Sequence, residues 1–236
     1  MEPDFWHKRW HEKQIGFHLS EYNERLIEHY SELNLQAGDN VFIPLSGKTK
    51  DIHFFVEKNC SVIGCELSPI AVQDFFHESE LHFESNDVAF SELKLHQSND
   101  INIYEGDFFS LNSEQLSTVN VCYDRAALVA LPQEMRKAYA QKLISTLPDS
   151  VRMLLVTLEY DQELKQGPPF SVTEEEVYFL YQDHFKIQKL STTNTGEKQP
   201  KVVPTKAKSA SSIGVQMIEK TYLLHNTVPP PIKGGG

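Results

Sequence analysis

The sequence predicts an α/β protein: a doubly wound, mostly parallel, seven-stranded Rossmann-like sheet with one late antiparallel strand. Three observations carry this. Short apolar runs alternate with helix-like segments from residue 40 to residue 190, the order that builds βαβ crossovers. The first apolar run leads to a glycine and the second ends at a carboxylate, so both strand ends would face one crevice. The last strand-like run has no helix before it, and a strand reached through a loop alone tends to pair antiparallel.

The elements follow in order. Pro3 to Lys13 and Ser20 to Leu33 have amphipathic helical spacing, with Ser20 placed to cap the second helix. Gly38 and Asp39 turn the chain into strand one, Asn40 to Leu45, and a short helix from Asp51 to Lys58 returns it to strand two, Ser61 to Glu66. Ser68 and Pro69 open a helix to about Glu78, with proline at its first position. Residues 80–99 are polar and read as an irregular excursion. Strand three is Ile101 to Glu105 and strand four Val119 to Tyr123. A helix from Pro132 to Thr146 precedes strand five, Val151 to Leu158. Thr173 and Glu176 form a capping box for a helix to about Tyr181, and strand six is Phe185 to Leu190. Residues 191–212 read as a mobile Ser/Thr/Lys/Pro loop, Ile213 to His225 as the late strand, and 226–236 as a tail whose closing glycines look like an expression scar.

Bulk properties narrow the function. With 236 residues, one domain over 1–225 is expected. Lys+Arg less Asp+Glu is 22 − 33 = −11, which repels nucleic-acid backbones and anionic membranes. No apolar run is long enough to span a bilayer, and the opening Met1-Glu-Pro-Asp4 does not resemble a signal peptide. Three cysteines, Cys60, Cys65 and Cys122, in or beside strand-like segments suit reduced thiols in a cytoplasmic protein. Monomer is the default expectation.

The crevice residues suggest nucleoside chemistry. Glu66 at the end of strand two is placed to accept the ribose hydroxyls, with Leu67 beside it. Gly47 allows close backbone approach, and Leu45 and Ser46 supply neighbouring contacts. Ser46 to Thr49 superficially suggests a phosphate loop, but the glycine that motif needs is replaced by Phe42. Asp107 and Phe108 follow strand three, where a carboxylate and a ring could meet a base; alone they also read as a turn. Trp6, Trp10 and Phe17 share one side of the N-terminal segment, and taken alone they read more readily as plain core. His7 and His11 have metal-ligand spacing, but no third ligand is apparent and the neighbours are basic, so no metal is expected. Pro168, Pro169 and Phe170 make a stiff apolar wall where an acceptor could lie. Asp161, just before it, is the natural proton acceptor or positioning group.

Several segments together carry a resemblance. They are Phe5-Trp-His-Lys-Arg-Trp10, Ile15-Gly-Phe-His18, Pro44-Leu-Ser-Gly-Lys48, Gly64-Cys-Glu-Leu-Ser68, Gly106-Asp-Phe-Phe109, Tyr123-Asp-Arg-Ala-Ala-Leu-Val-Ala-Leu-Pro132, Glu159-Tyr-Asp161 and Gly167-Pro-Pro-Phe170. In order and spacing, from about residue 3 to 225, the set resembles the bacterial form of the thiopurine S-methyltransferase family. The resemblance implies S-adenosylmethionine as cofactor, S-adenosylhomocysteine as product, and a small thiol or chalcogen acceptor: aromatic or heterocyclic thiols, and selenium or tellurium compounds. It implies that residues 1–35 form a lid in which Trp6, Trp10 and Phe17 cover the donor, Phe17 also meeting the acceptor. Arg125 would pair with the donor carboxylate, and Lys208 would be the basic residue near the substrate. The family commonly has cysteine where Ser46 stands, so no thiol nucleophile is expected there. Two alternatives stand beside this reading: methylation of halide or thiocyanate ions, and a cofactor-binding protein without turnover.

Overall fold

The structure is a computed structural model in which residues 3–195 and 216–226 are described. It contains a nine-stranded sheet in the order β3-β4-β5-β2-β1-β6-β7-β9-β8. The strands are β1 (Asn40–Ile43), β2 (Ser61–Glu66), β3 (Glu84–Asp87), β4 (Lys94–Ser98), β5 (Ile101–Glu105), β6 (Val119–Arg125), β7 (Arg152–Glu159), β8 (Lys186–Asn194) and β9 (Ile218–His225). The helices are α1 (Pro3–His11), α2 (Glu24–His29), α3 (Asp51–Glu57), α4 (Pro69–Glu78), α5 (Gln133–Thr146) and α6 (Glu174–Tyr181).

The centre, β5-β2-β1-β6-β7, is parallel throughout. The late strand β9 is antiparallel and inserts between β7 and β8, pairing Arg152 with His225 on one side and Lys186 with His225 on the other. The mostly parallel sheet with a late antiparallel strand is thus present, and two strands are added to it. Residues 84–98 form a hairpin, β3–β4, where the sequence suggested an irregular excursion. Its apolar signal is faint because β3 is exposed along its whole length and serves only as an edge. On β4, His96 and Ser98 point inward while Gln97 faces out, so the alternation is carried by polar residues.

Alternation along β1 explains how the core is divided. Phe42 joins a cluster with Tyr139, Leu143, Val177 and Tyr181 of α5 and α6. Val41 and Ile43 point the other way, into a cluster with Leu26, Ile52, Phe55, Val72 and Phe76 of α2, α3 and α4. Burying each such side chain contributes roughly 1.5–3 kcal/mol, and helices on both faces are what a parallel sheet requires.

Other boundaries also differ from the sequence reading. The second helix is capped by Asn23, whose Oδ1 accepts from the Arg25 and Leu26 N–H groups at 3.0 and 3.3 Å, not by Ser20. Tyr30 to Leu33 continues it as a 3-10 turn. Strand β1 stops at Ile43, and Leu45 takes a left-handed φ of 46° that leads into the loop. Strand β8 extends to Asn194, into the segment expected to be loop, because β9 offers it a partner along its length. The Thr173 cap forms as expected, its Oγ1 accepting from Glu176 N–H at 3.2 Å. Among the described residues no helix is long and apolar enough to cross a membrane.

Candidate active site

Parallel strands end together, and a cavity of about 630 Å³ opens at their C-terminal ends. That size lies in the usual range of about 300–1,000 Å³ for small-molecule sites. The β1 loop and the end of β2 form its floor. The Gly47 N–H donates to Glu66 Oε2 at 2.7 Å, and the Ser68 N–H donates to Oε1 at 2.8 Å. Glu66 is buried, and burial pushes its pKa up to about 7 against the pull of those backbone donors. A carboxylate offers about four acceptor sites, so accepting capacity remains. Gly47 has a φ of 54°, and a Cβ there would come 3.2 Å from the Trp10 ring. Only glycine suits that place.

The next strand ends supply the sides. Asp107 Oδ1 accepts from Phe109 N–H at 3.0 Å and caps a 3-10 turn that sets Phe108 against Tyr139. After β6, the Arg125 guanidinium donates through Nη1 to the Phe17 carbonyl at 3.2 Å. Buried Asp124 fixes the following loop, accepting from Leu128 N–H at 3.1 Å and Tyr139 O–H at 2.8 Å; burial pushes its pKa up to about 6. Leu45, Ser46 and Leu67 also line the cavity.

The N-terminal segment forms the roof. Trp6 and Trp10 each meet Phe17 edge-to-face, at 5.7 and 5.6 Å between centroids. Trp10 is buried and all three rings line the cavity. The segment is latched at its far end where the Asn23 N–H donates to Asp51 Oδ1 at 2.8 Å. Pro168 and Pro169 line the opposite wall. The wall is held from behind: Tyr160 O–H donates to the Pro169 carbonyl at 2.5 Å, and Phe170 N–H to the Val129 carbonyl at 2.7 Å.

Two expected residues are not part of this constellation, and a third lies outside the described residues. Asp161 is exposed outside the cavity lining, where its Oδ1 accepts from Glu163 N–H at 3.0 Å and shapes a turn. Phe170 lies behind the proline wall, against Gly167 and 6.0 Å from the Arg136 guanidinium, rather than on the cavity surface. Lys208 falls outside the described residues. Lys48 does not project as a phosphate-binding lysine would. Its Nζ bonds Asp74 and Glu78 of α4 at 3.2 and 2.6 Å, anchoring the loop to that helix. No cluster of three or more metal-ligating side chains occurs among the described residues.

The structure adds residues that sequence reasoning did not single out. Asp51, Tyr123, Tyr139, His18 and Glu219 all line the cavity. Tyr123 O–H donates to Asp51 Oδ2 at 3.1 Å, so that carboxylate is satisfied on both oxygens. His18 was within a quoted segment, directly after Phe17, and adjacency was the available signal. Glu219, brought in from β9 across the sheet, had none.

Comparison with known proteins places this geometry in context. The family model described as thiopurine S-methyltransferase matches residues 1–223. A thiopurine S-methyltransferase of Shewanella woodyi is 44% identical over 205 residues, covering 86% of this chain and 92% of that one. One from Pseudomonas aeruginosa is 45% identical over 190 residues, covering 80% and 86%. Among solved structures, a Burkholderia thailandensis 1,6-didemethyltoxoflavin-N1-methyltransferase with bound S-adenosylhomocysteine superimposes with a TM-score of 0.61 at 12% identity, covering 95% of this chain and 87% of its own. An S-adenosylmethionine-dependent methyltransferase from Anabaena variabilis gives 0.61 at 14% identity, covering 95% and 94%. At that identity the two structures speak to the fold alone.

Proposed function

The chain belongs to the thiopurine S-methyltransferase family, and on that premise we propose that it transfers a methyl group from S-adenosylmethionine to the sulfur of a small aromatic or heterocyclic thiol. The observation that carries the reading is the Gly47–Glu66 pair: a buried carboxylate held by two backbone donors with accepting capacity left over, beside a glycine that leaves the backbone bare. Those are the features a ribose and an amino-acid tail require, so the residues fit the cofactor.

When bound, the cofactor supplies an electrophilic methyl on a sulfonium. Glu66 would accept the ribose hydroxyls, and Asp107 and Phe108 would meet the adenine. Arg125 would hold the donor carboxylate while keeping its bond to the lid carbonyl of Phe17. Trp6, Trp10 and Phe17 exclude water and offer aromatic faces to a cation. Pro168 and Pro169, with Phe17, form an apolar slot suited to a flat acceptor. In-line displacement then needs alignment above all. A thiolate needs no activation, and the same soft-nucleophile logic extends the acceptor class to selenium and tellurium compounds.

The mainly apolar walls favour this over small-anion methylation, which calls for a compact, positive pocket. The three cysteines are free and buried, which supports a reducing, cytoplasmic setting.

The test is calorimetric titration with S-adenosylhomocysteine, followed by methyl-transfer assays on aryl thiols, selenite and tellurite. Micromolar binding with thiol turnover is expected. Absence of binding would overturn the site, and binding with turnover only of halide or thiocyanate would overturn the acceptor.

A further inference from the structure

Asp161 lies outside the cavity lining, and the cavity itself holds a residue able to take a proton from a protonated acceptor. Among the described residues, the histidine and carboxylate side chains that line the cavity are His18, Asp51, Glu66, Asp107 and Glu219. Asp51 is committed to latching the lid, each of its oxygens accepting a hydrogen bond, from Asn23 N–H and Tyr123 O–H. Glu66 is held by two backbone donors at the donor end. Asp107 caps the turn after β5. Glu219 lies 3.2 Å from the Arg25 guanidinium, which faces it as a counter-charge. His18 differs from all four. Its Nδ1 is buried without a hydrogen-bond partner, and no partner for its Nε2 occurs among the described residues. It directly follows Phe17, whose carbonyl is fixed by Arg125.

We propose that the His18 imidazole is the proton acceptor for acceptors that arrive as thiols, a role that rests on the thiol-transfer reading above. The acceptor S–H proton passes to Nε2 as the new S–CH3 bond forms and the donor C–S bond breaks, its electron pair returning to the donor sulfur. The imidazolium then releases its proton to solvent. The surroundings disfavour the charged ring beforehand. Burial lowers its pKa most, and the Lys48, Lys50 and Arg125 charges outweigh that of Glu78. A lowered pKa makes a weaker base, so its contribution belongs at the low end of the usual range for positioned bases, about 10²-fold.

The experiment compares wild type and His18→Gln across aryl thiols whose pKa values straddle the assay pH, with S-adenosylhomocysteine binding measured on both proteins. The expected result is a ratio of kcat/KM values that climbs to about 10² for thiols protonated at assay pH and shrinks as thiol pKa falls, with affinity for the product retained. A ratio that is flat across the series would overturn the proposal, whether flat at unity or flat at a large loss. Wild-type protein that binds the product but turns over no thiol would instead refute the thiol-transfer reading, and the proton role with it.

Discussion

At the residue scale, Glu66 and Gly47 carry the most testable chemistry. Glu66→Ala should weaken S-adenosylhomocysteine binding by roughly 1.5–3 kcal/mol, the range for hydrogen bonds to a charged group, read by calorimetry; unchanged affinity would remove it from the site. Arg125→Ala should cost a similar amount, because its guanidinium serves both the lid carbonyl of Phe17 and the donor carboxylate. Purely lowered stability, with affinity intact in the folded fraction, would make it structural. Gly47 and Glu66 were legible from sequence because a strand end states where a side chain goes. Asp161 falls outside the cavity lining for the complementary reason. It lies two residues beyond the end of β7, where turn geometry rather than strand direction decides where the carboxylate points. Glu219 was invisible because only the pairing of β9 with β7 brings it to the cavity.

At the scale of elements, the lid depends on two attachments: Trp10 over Gly47, and Asn23 at the start of α2. Asn23 serves twice, its side chain capping α2 and its N–H reaching Asp51. Asn23→Ala removes only the side-chain part and should cost about 0.5–2 kcal/mol, measured by denaturant unfolding, with faster release of S-adenosylhomocysteine in stopped flow. A release rate identical to wild type would mean that the cap does not govern the lid. The helices were largely readable because their apolar faces and caps are local signals. Ser20 was an equally good N-cap by residue type; Asn23 prevails because its own N–H is claimed by a buried carboxylate 28 residues away. The β3–β4 hairpin escaped for want of an apolar face, its inward side being held by polar contacts such as His96 to Ser85 at 2.8 Å and to Glu105 at 3.0 Å.

For the whole molecule, the two elevated carboxyls set a pH response. Glu66 and Asp124 have pKa values near 7 and 6 in the folded chain against ordinary values of 4.5 and 3.8. The folded state therefore holds their protons to higher pH than the unfolded chain does. Their contribution to stability is fully present below about pH 4 and is lost as pH rises through 6 and 7. A donor that needs ionised Glu66 acts in the opposite sense, so the rise in Tm produced by S-adenosylhomocysteine should grow from pH 6 to pH 8. Glu66→Gln should flatten that growth, and a ligand-induced shift independent of pH in wild type would contradict the assignment. The parallel alternation and the antiparallel sense of the last strand could be read from the sequence, since connection length constrains direction. Strand order could not, because nothing local states that β9 lies between β7 and β8. That insertion has a consequence for how the chain is made. Synthesis runs from the N-terminus, so β8 emerges with its ladder partner still unwritten, and β7 waits with an open edge beside a nearly finished sheet. The strand that joins them leaves the ribosome only after both. A nascent chain stalled before Ile218 should therefore be sensitive to protease and prone to edge-to-edge association, while one released after His225 should be protected.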